Sequence, residues 1–328
     1  YPLRRQRQMC IRDRDSIHRE LSLTYLPTDV SSLRSYGLIP FNGELLDGEF
    51  DGIAVSETAQ LDDLFVQKLL AQRSSGTTIY SLVNWAEQHL QRVPPELFSS
   101  RWLVQAEGFE LQPGRWGWRL KRLGDVSMAG LLLLLSAPLI ALTALLIRLE
   151  DGGPILYSQE RTGLYGEIIR VWKLRTMTPQ AEVAGAQWAS RGDHRITRIG
   201  HWLRKLRIDE LPQLIAVLKG EMSLIGPRPE RPEIELDLEK QIPHYRTRHW
   251  LRPGLSGWAQ VCYPYGASIE DSRMKLSYDI FYLRNANLML DLLILIKTLR
   301  LVSRGQGAVP QSIACLLYTS DAADEEDS

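Results

Sequence analysis

The chain has 328 residues, enough for about two domains, and its 39 basic and 39 acidic side chains cancel. That balance excludes a bulk polyanion binder, so no nucleic-acid partner is expected, although basic clusters can still act locally. The three cysteines, Cys10, Cys262 and Cys315, show neither metal-ligand spacing nor a disulfide framework.

Both ends look foreign. RRQRQMCIRDR and CLLYTSDAADEEDS have the look of translated sequencing adapters, so residues 1–14 and most of the tail 309–328 are set aside as scars. Residues 15–114 read as a partial soluble α/β domain. In it GIAVS and TTIYSL are strand-like, whereas LDDLFVQKLLAQR and LVNWAEQHLQRV have helical spacing. No glycine-rich phosphate loop accompanies them.

Residues 115–150 change character. Met128–Ile147 is a run of 20 residues without a charge, preceded by Arg115, Arg119, Lys121 and Arg122 interleaved with Trp116 and Trp118. The length suits a bilayer-crossing helix, and the flank suits a cytoplasmic interface. Pro138 sits near the middle and should break the helix. A straight span would place residues 151–308 on the outer face, away from soluble nucleotide donors. A helix that enters, bends at Pro138 and returns keeps both halves inside. NLMLDLLILIKTLRLV, interrupted by Asp291, Lys297 and Arg300, reads as an interfacial amphipathic helix.

Between these segments lie basic motifs. VWKLRTM places Lys173 and Arg175 on one face of a strand. RKLRIDELPQLIAVLKG sets Arg204, Lys205 and Arg207 before the acid pair Asp209 and Glu210. Asp209 is a candidate helix N-cap, with Pro212 in the first turn. Lys205 and Arg207 read as a solvated face or a contact with lipid headgroups. Arg228 lies between Pro227 and Pro229, which stiffen its backbone and present the guanidinium. RPGLSGWAQV reads as a glycine-punctuated loop running into a strand-like end. An acid pair among fixed cations can divide its work: one carboxylate attacks phosphorus while the other holds Mg²⁺.

Taken together, these motifs resemble the monotopic polyprenyl-phosphate phosphoglycosyl transferases, the bacterial sugar transferase family. The resemblance rests on GGPILYSQERTG, VWKLRTM, the run from DHRITRIGHWLRKLRIDELPQ to SLIGPRPERPE, RPGLSGWAQV and YDIFYLRN, in that order, over about residues 118–308. RPERPE, YPYGAS and LEDGGP resemble the subgroup tied to exosortase-type exopolysaccharide systems. The resemblance implies a membrane-associated α/β catalytic domain over 151–308, with a re-entrant helix broken at Pro138. It implies transfer of a sugar 1-phosphate from a UDP-sugar to polyprenyl phosphate, releasing UMP, at the bacterial cytoplasmic membrane with the catalytic domain facing the cytoplasm.

Carried onto this chain, Asp209 is the nucleophile and Glu210 binds Mg²⁺, while Lys173, Arg175, Arg204 and Arg228 steady phosphates. Membrane lipid is an implied partner, and a homo-oligomer is left open. The family breaks its helix at a Ser-Pro pair. Here Ala137 holds the serine position and Ser136 comes one residue early. Two rival readings are a glycosyltransferase that releases UDP and a non-catalytic membrane assembly protein.

Overall fold

The computed structural model describes residues 9–12, 38–41, 52–55, 61–109, 115–178, 193–263 and 268–303. The rest of both terminal stretches and most of YPYGAS lie outside the described residues. The chain divides into two compact units, Tyr1–Ala106 and Glu107–Ser328.

The first unit carries a four-stranded parallel sheet in the order β2-β1-β3-β4, formed by β1 (Met9–Arg12), β2 (Leu38–Phe41), β3 (Gly52–Val55) and β4 (Thr78–Ser81). Met9–Arg12, inside the stretch read as a scar, is an interior strand of this sheet. The helices are α1 (Asp63–Ser74), α2 (Leu82–Leu90) and α3 (Ser100–Gln105). Each starts at a side chain that accepts a free backbone N–H: Asp62 from Phe65, Ser81 from Asn84 and Ser99 from Trp102. Phe65 and Leu69 on α1 pack against Ile53, Val55 and Ile79 of the sheet. The alternation of strand and helix expected from the sequence is therefore present.

The second unit begins with α4 (Trp116–Asp151), a 36-residue helix with Pro138 inside it. An antiparallel hairpin follows, β5 (Leu156–Thr162) with β6 (Ile168–Leu174). Next come α5 (Arg198–Lys205), a 3-10 helix at Ile208–Gln213 and α6 (Leu214–Lys219). Beyond them lie β7 (Ser223–Ile225), α7 (Pro232–Gln241), a 3-10 helix at Tyr245–Trp250 and β8 (Gly254–Ser256). The unit ends with α8 (Trp258–Cys262), α9 (Ile269–Asn285) and α10 (Leu288–Ser303). β7 and β8 pair in parallel.

RPGLSGWAQV departs from its expected form. Its middle is strand β8 and its end is helix α8. The glycines serve close packing here. A Cβ on Gly254 would lie 2.1 Å from the Gly226 nitrogen, and one on Gly257 2.2 Å from the Gly226 carbonyl oxygen. Trp258, read as strand-like, is buried as the first residue of the helix.

The two ends of α4 dock on the same unit. Toward the N-terminus, Arg122 donates to the carbonyls of Val217 and Leu218 at the end of α6. Asp125 accepts from the Ser223 hydroxyl (2.8 Å) and the Leu224 N–H (3.1 Å). Ala129 and Leu133 join a core with Val171, Leu214, Val217 and Met222. Toward the C-terminus, Ile140 and Ile147 pack with Leu174, Ile199, Leu203 and Ile208, and Asp151 pairs with Arg175. Between them no residue from 130 to 142 is buried, and Leu131, Leu134, Leu135, Leu139 and Leu142 are exposed.

α4 runs through Pro138 as one helix rather than breaking there as expected, although the proline offers no N–H to the turn before it. Ser136 donates to the Leu133 carbonyl at a long 3.4 Å, and Thr143 to the carbonyls of Leu139 and Ile140 at 2.9 and 3.0 Å. Among the described residues α4 is the one helix long and apolar enough to cross a membrane.

Helix α10 turns Asp291 and Lys297 inward and leaves Arg300 exposed. Asp291 pairs with Lys121 (2.7 Å) and accepts from the Tyr282 hydroxyl (2.6 Å), while Lys297 lies 4.6 Å from the Trp258 ring centre. Leu288, Met289, Leu292, Leu293, Ile296 and Leu299 face outward. Apolar faces of this extent call for a non-aqueous covering.

Candidate active site

The site is assembled where the hairpin, the 3-10 helix at Ile208–Gln213 and the loop after β7 converge. Asp209 and Glu210 fall in the first turn of that 3-10 helix. Asp209 does not cap it. The residue ahead of the helix is Arg207, in the left-handed region at φ 55°, and no side chain caps the start. With 3.0 residues per turn, the two carboxylates diverge by about 120° rather than the 100° of an α-helix. They enter different surroundings although both are buried.

Glu210 is surrounded by cations. Its Oε1 accepts from Lys173 Nζ at 3.0 Å and Arg228 Nη2 at 2.7 Å, and its Oε2 lies 3.5 Å from Arg207 Nη1. Burial pushes its carboxyl upward, but Arg228, Lys173 and Arg207 more than offset this and hold it well below the usual carboxylate range. Lys173 is lowered, mainly by burial. Arg228 is raised, chiefly by Glu210.

Asp209 behaves in the opposite way. Among the described residues none holds its carboxylate in a salt bridge. Burial, then the neighbouring Glu210 charge, raises it to about 6, against the pull of Lys173, Arg204 and Arg228. Two adjacent carboxylates pushed apart in this way suit different roles.

Of the predicted site residues, Lys173 and Arg228 are brought to Glu210 directly. Arg204, in the last turn of α5, donates through Nε to the Thr176 hydroxyl at 2.8 Å and acts on Asp209 through its charge. Arg175 is not brought to the acid pair. It lies just past β6, buried, with its guanidinium against Asp151 and Gly153 at the end of α4. Pro138 lies in the exposed middle of α4, away from this cluster.

Arg207, read from sequence as solvated, belongs to the site. Its i,i+3 spacing to Glu210 is no signal by itself, because Arg207 lies ahead of the helix with a left-handed backbone. Arg161 is also close: it donates to the Pro229 carbonyl at 3.1 Å and lies 3.6 Å from Glu230. Lys205 does lie outside, against the ring of the exposed Trp202.

Chemically, four basic side chains (Lys173, Arg204, Arg207 and Arg228) face two carboxylates. This excess of fixed positive charge, with planar guanidinium forks, suits phosphate oxygens. Among the described residues no group of three or more His, Cys, Asp or Glu side chains could form a protein-only metal cage.

The bacterial sugar transferase family profile matches residues 116–305, from the start of α4 to just past α10. An Aeromonas hydrophila UDP-N-acetylgalactosamine-undecaprenyl-phosphate N-acetylgalactosaminephosphotransferase is 47% identical over 189 residues, 58% of this chain and 45% of that protein. A Komagataeibacter xylinus undecaprenyl-phosphate glucose phosphotransferase is 40% identical over 191 residues, 56% of this chain and 36% of that protein. A Caulobacter vibrioides UDP-glucose:undecaprenyl-phosphate glucose-1-phosphate transferase is 44% identical over 180 residues, 54% of this chain and 67% of that protein. The chain thus spans less than half the length of the first two. With the profile covering more than half of the chain and every element that builds the acid–cation site, this protein belongs to the bacterial sugar transferase family.

Proposed function

We propose that the protein transfers a sugar 1-phosphate from a UDP-sugar to a polyprenyl phosphate and releases UMP, so initiating exopolysaccharide or another glycoconjugate. The observation that carries this is the split acid pair: Glu210 clamped by Lys173, Arg207 and Arg228, beside a buried Asp209 that no salt bridge holds among the described residues. The activities for which the relatives are named support it.

In the first step an Asp209 carboxylate oxygen bonds to the β-phosphorus of the donor, and the bond from that phosphorus to the bridging oxygen breaks. UMP leaves with the bridging oxygen, and the phosphosugar stays on Asp209. In the second step a phosphate oxygen of the polyprenyl acceptor attacks the same phosphorus and frees the carboxylate. Lys173, Arg204 and Arg228 draw charge off the phosphoryl oxygens in both steps.

Mg²⁺ fits this donor set. One or two carboxylates completed by phosphate oxygens is a common Mg²⁺ arrangement, and Glu210, with Asp209 beside it, would hold the ion. When bound it would neutralise charge on the diphosphate. Glu210 would have to share its oxygens with the cations already on it.

The acid limb of turnover is set by Asp209, which must be ionised to attack. With its carboxyl at about 6, kcat/KM should fall tenfold per pH unit well below pH 6. A pH–rate profile of UMP release, with a panel of UDP-sugars and polyprenyl phosphate, checks this and names the sugar. Release of UDP instead would favour the glycosyltransferase reading.

The re-entrant reading of α4 is supported by its packing. A bilayer's hydrocarbon core is about 30 Å thick, so a straight span would put the two ends on opposite faces. Here one unit packs against both arms, through Ala129 and Leu133 before Pro138 and Ile140 and Ile147 after it, and the outward leucines between them stay exposed. In sealed vesicles of a cysteine-free background, cysteines replacing Arg119 and Arg148 should both react from the cytoplasmic side. Reaction from opposite sides would establish a straight span.

A further inference from the structure

The buried charge cluster behind the site has no place in the chemistry above. Arg248, in the 3-10 helix at Tyr245–Trp250, is 6% exposed. Its Nη2 donates to the backbone carbonyl of Arg228 at 2.7 Å and lies 3.0 Å from the Asp279 carboxylate of α9. Its Nη1 donates to the Tyr245 hydroxyl and lies 4.0 Å from Glu235 of α7. Burial raises Asp279 to about 6 against the pull of Arg248. Pairs buried this deeply lose much of their attraction to desolvation, so stability alone is a poor reason for them.

What Arg248 touches suggests the reason. The loop from Gly226 to Glu230 carries the cation that meets Glu210, and two of its five residues are prolines without an N–H. It is fastened mainly through its carbonyls. Pro227 accepts from the Gly254 N–H (2.8 Å), Pro229 from Arg161 (3.1 Å) and Glu230 from the Thr162 N–H (3.1 Å). The Arg228 carbonyl itself accepts from Arg248. The residue whose side chain must be aimed is therefore held, at its own backbone, by a guanidinium fixed by Tyr245 of its own helix and by carboxylates of two others, Glu235 of α7 and Asp279 of α9.

We infer that Arg248 is a positioning residue: locked by Asp279 and Tyr245, it sets the backbone of Arg228 and so aims that guanidinium at the donor diphosphate. The inference rests on the reading of Arg228 as a diphosphate-binding cation. Lysine at position 248 keeps the charge but loses the planar fork that reaches carbonyl, carboxylate and phenol together.

The test is a double-mutant cycle read by UDP binding to the full chain in nanodiscs, with wild type, R248K, R228Q and the double variant. R228Q should weaken UDP about tenfold or more, the loss of a charge-assisted contact. R248K should weaken it severalfold in the wild-type background and have almost no further effect in R228Q. If R248K weakens UDP by the same factor in both backgrounds, or in neither, the positioning role is overturned while the reading of Arg228 stands. If R228Q leaves UDP affinity unchanged, the reading of Arg228 falls and the inference with it. Should R248K not fold, D279N in the same cycle removes the lock and leaves Arg248 in place, with the same expected non-additivity.

Discussion

Asp209→Asn is expected to stop UMP release, by at least about a thousandfold, while the protein melts at the same temperature or higher. The first half follows from losing the attacking carboxylate: an amide of the same shape cannot form the covalent bond, and the adjacent Glu210 carboxylate is held by Lys173, Arg207 and Arg228. The second half follows from linkage. Asp209 has a folded-state carboxyl raised from 3.8 to about 6. The native state thus holds its proton more tightly than the unfolded chain does, and stability declines as pH rises through that window. At pH 7.5 the wild-type carboxylate is charged and buried without a salt-bridge partner among the described residues, and Asn removes that penalty. Thermal melts at pH 7.5 and pH 4, beside the UMP assay, check both halves. A folded, fully active variant would remove Asp209 from the chemistry. An inactive variant that melts much lower would show that the carboxylate supports the fold.

Arg228→Gln is expected to cost about a hundredfold or more in kcat/KM and to move the acid limb to higher pH. Arg228 is a leading cause of the low Glu210 carboxyl and also pulls Asp209 downward. Without it both carboxyls rise, so Asp209 is protonated over a wider range. The loss should therefore be larger at pH 6 than at pH 8.5. Lys173 remains on Glu210 Oε1, so the clamp is weakened rather than abolished. A pH-independent loss would mean that Arg228 binds donor without tuning the acid pair. The size of the loss is that of removing one fixed charge stabiliser from a water-poor site.

Much of this site was legible because the chemistry-bearing residues come in short local runs. The acid pair, the proline-bracketed Arg228 and Lys173 within a strand can all be read from neighbours a few positions away. Arg175 shows where such reading stops. Two residues from Lys173, it shares a face only while the strand continues, but β6 ends at Leu174 and the side chain turns to Asp151. Arg207 shows the same limit in reverse. Only its left-handed backbone brings it back to Glu210. Arg248 depends on Asp279, 31 positions away, and on a carbonyl 20 positions before it. No periodicity encodes such contacts.

The seating of α4 bears on how this protein could be prepared. A chain shortened to begin at β5, in search of a water-soluble catalytic half, would lose more than an anchor. It would strip the arginine that caps the carbonyl end of α6, immediately after the acid pair. It would take the acceptor from the Leu224 N–H, in the strand leading to Arg228. It would open voids where Ala129 and Ile147 now fill two separate cores. The long apolar helix is thus part of the skeleton of this unit, built into two of its cores rather than appended to them.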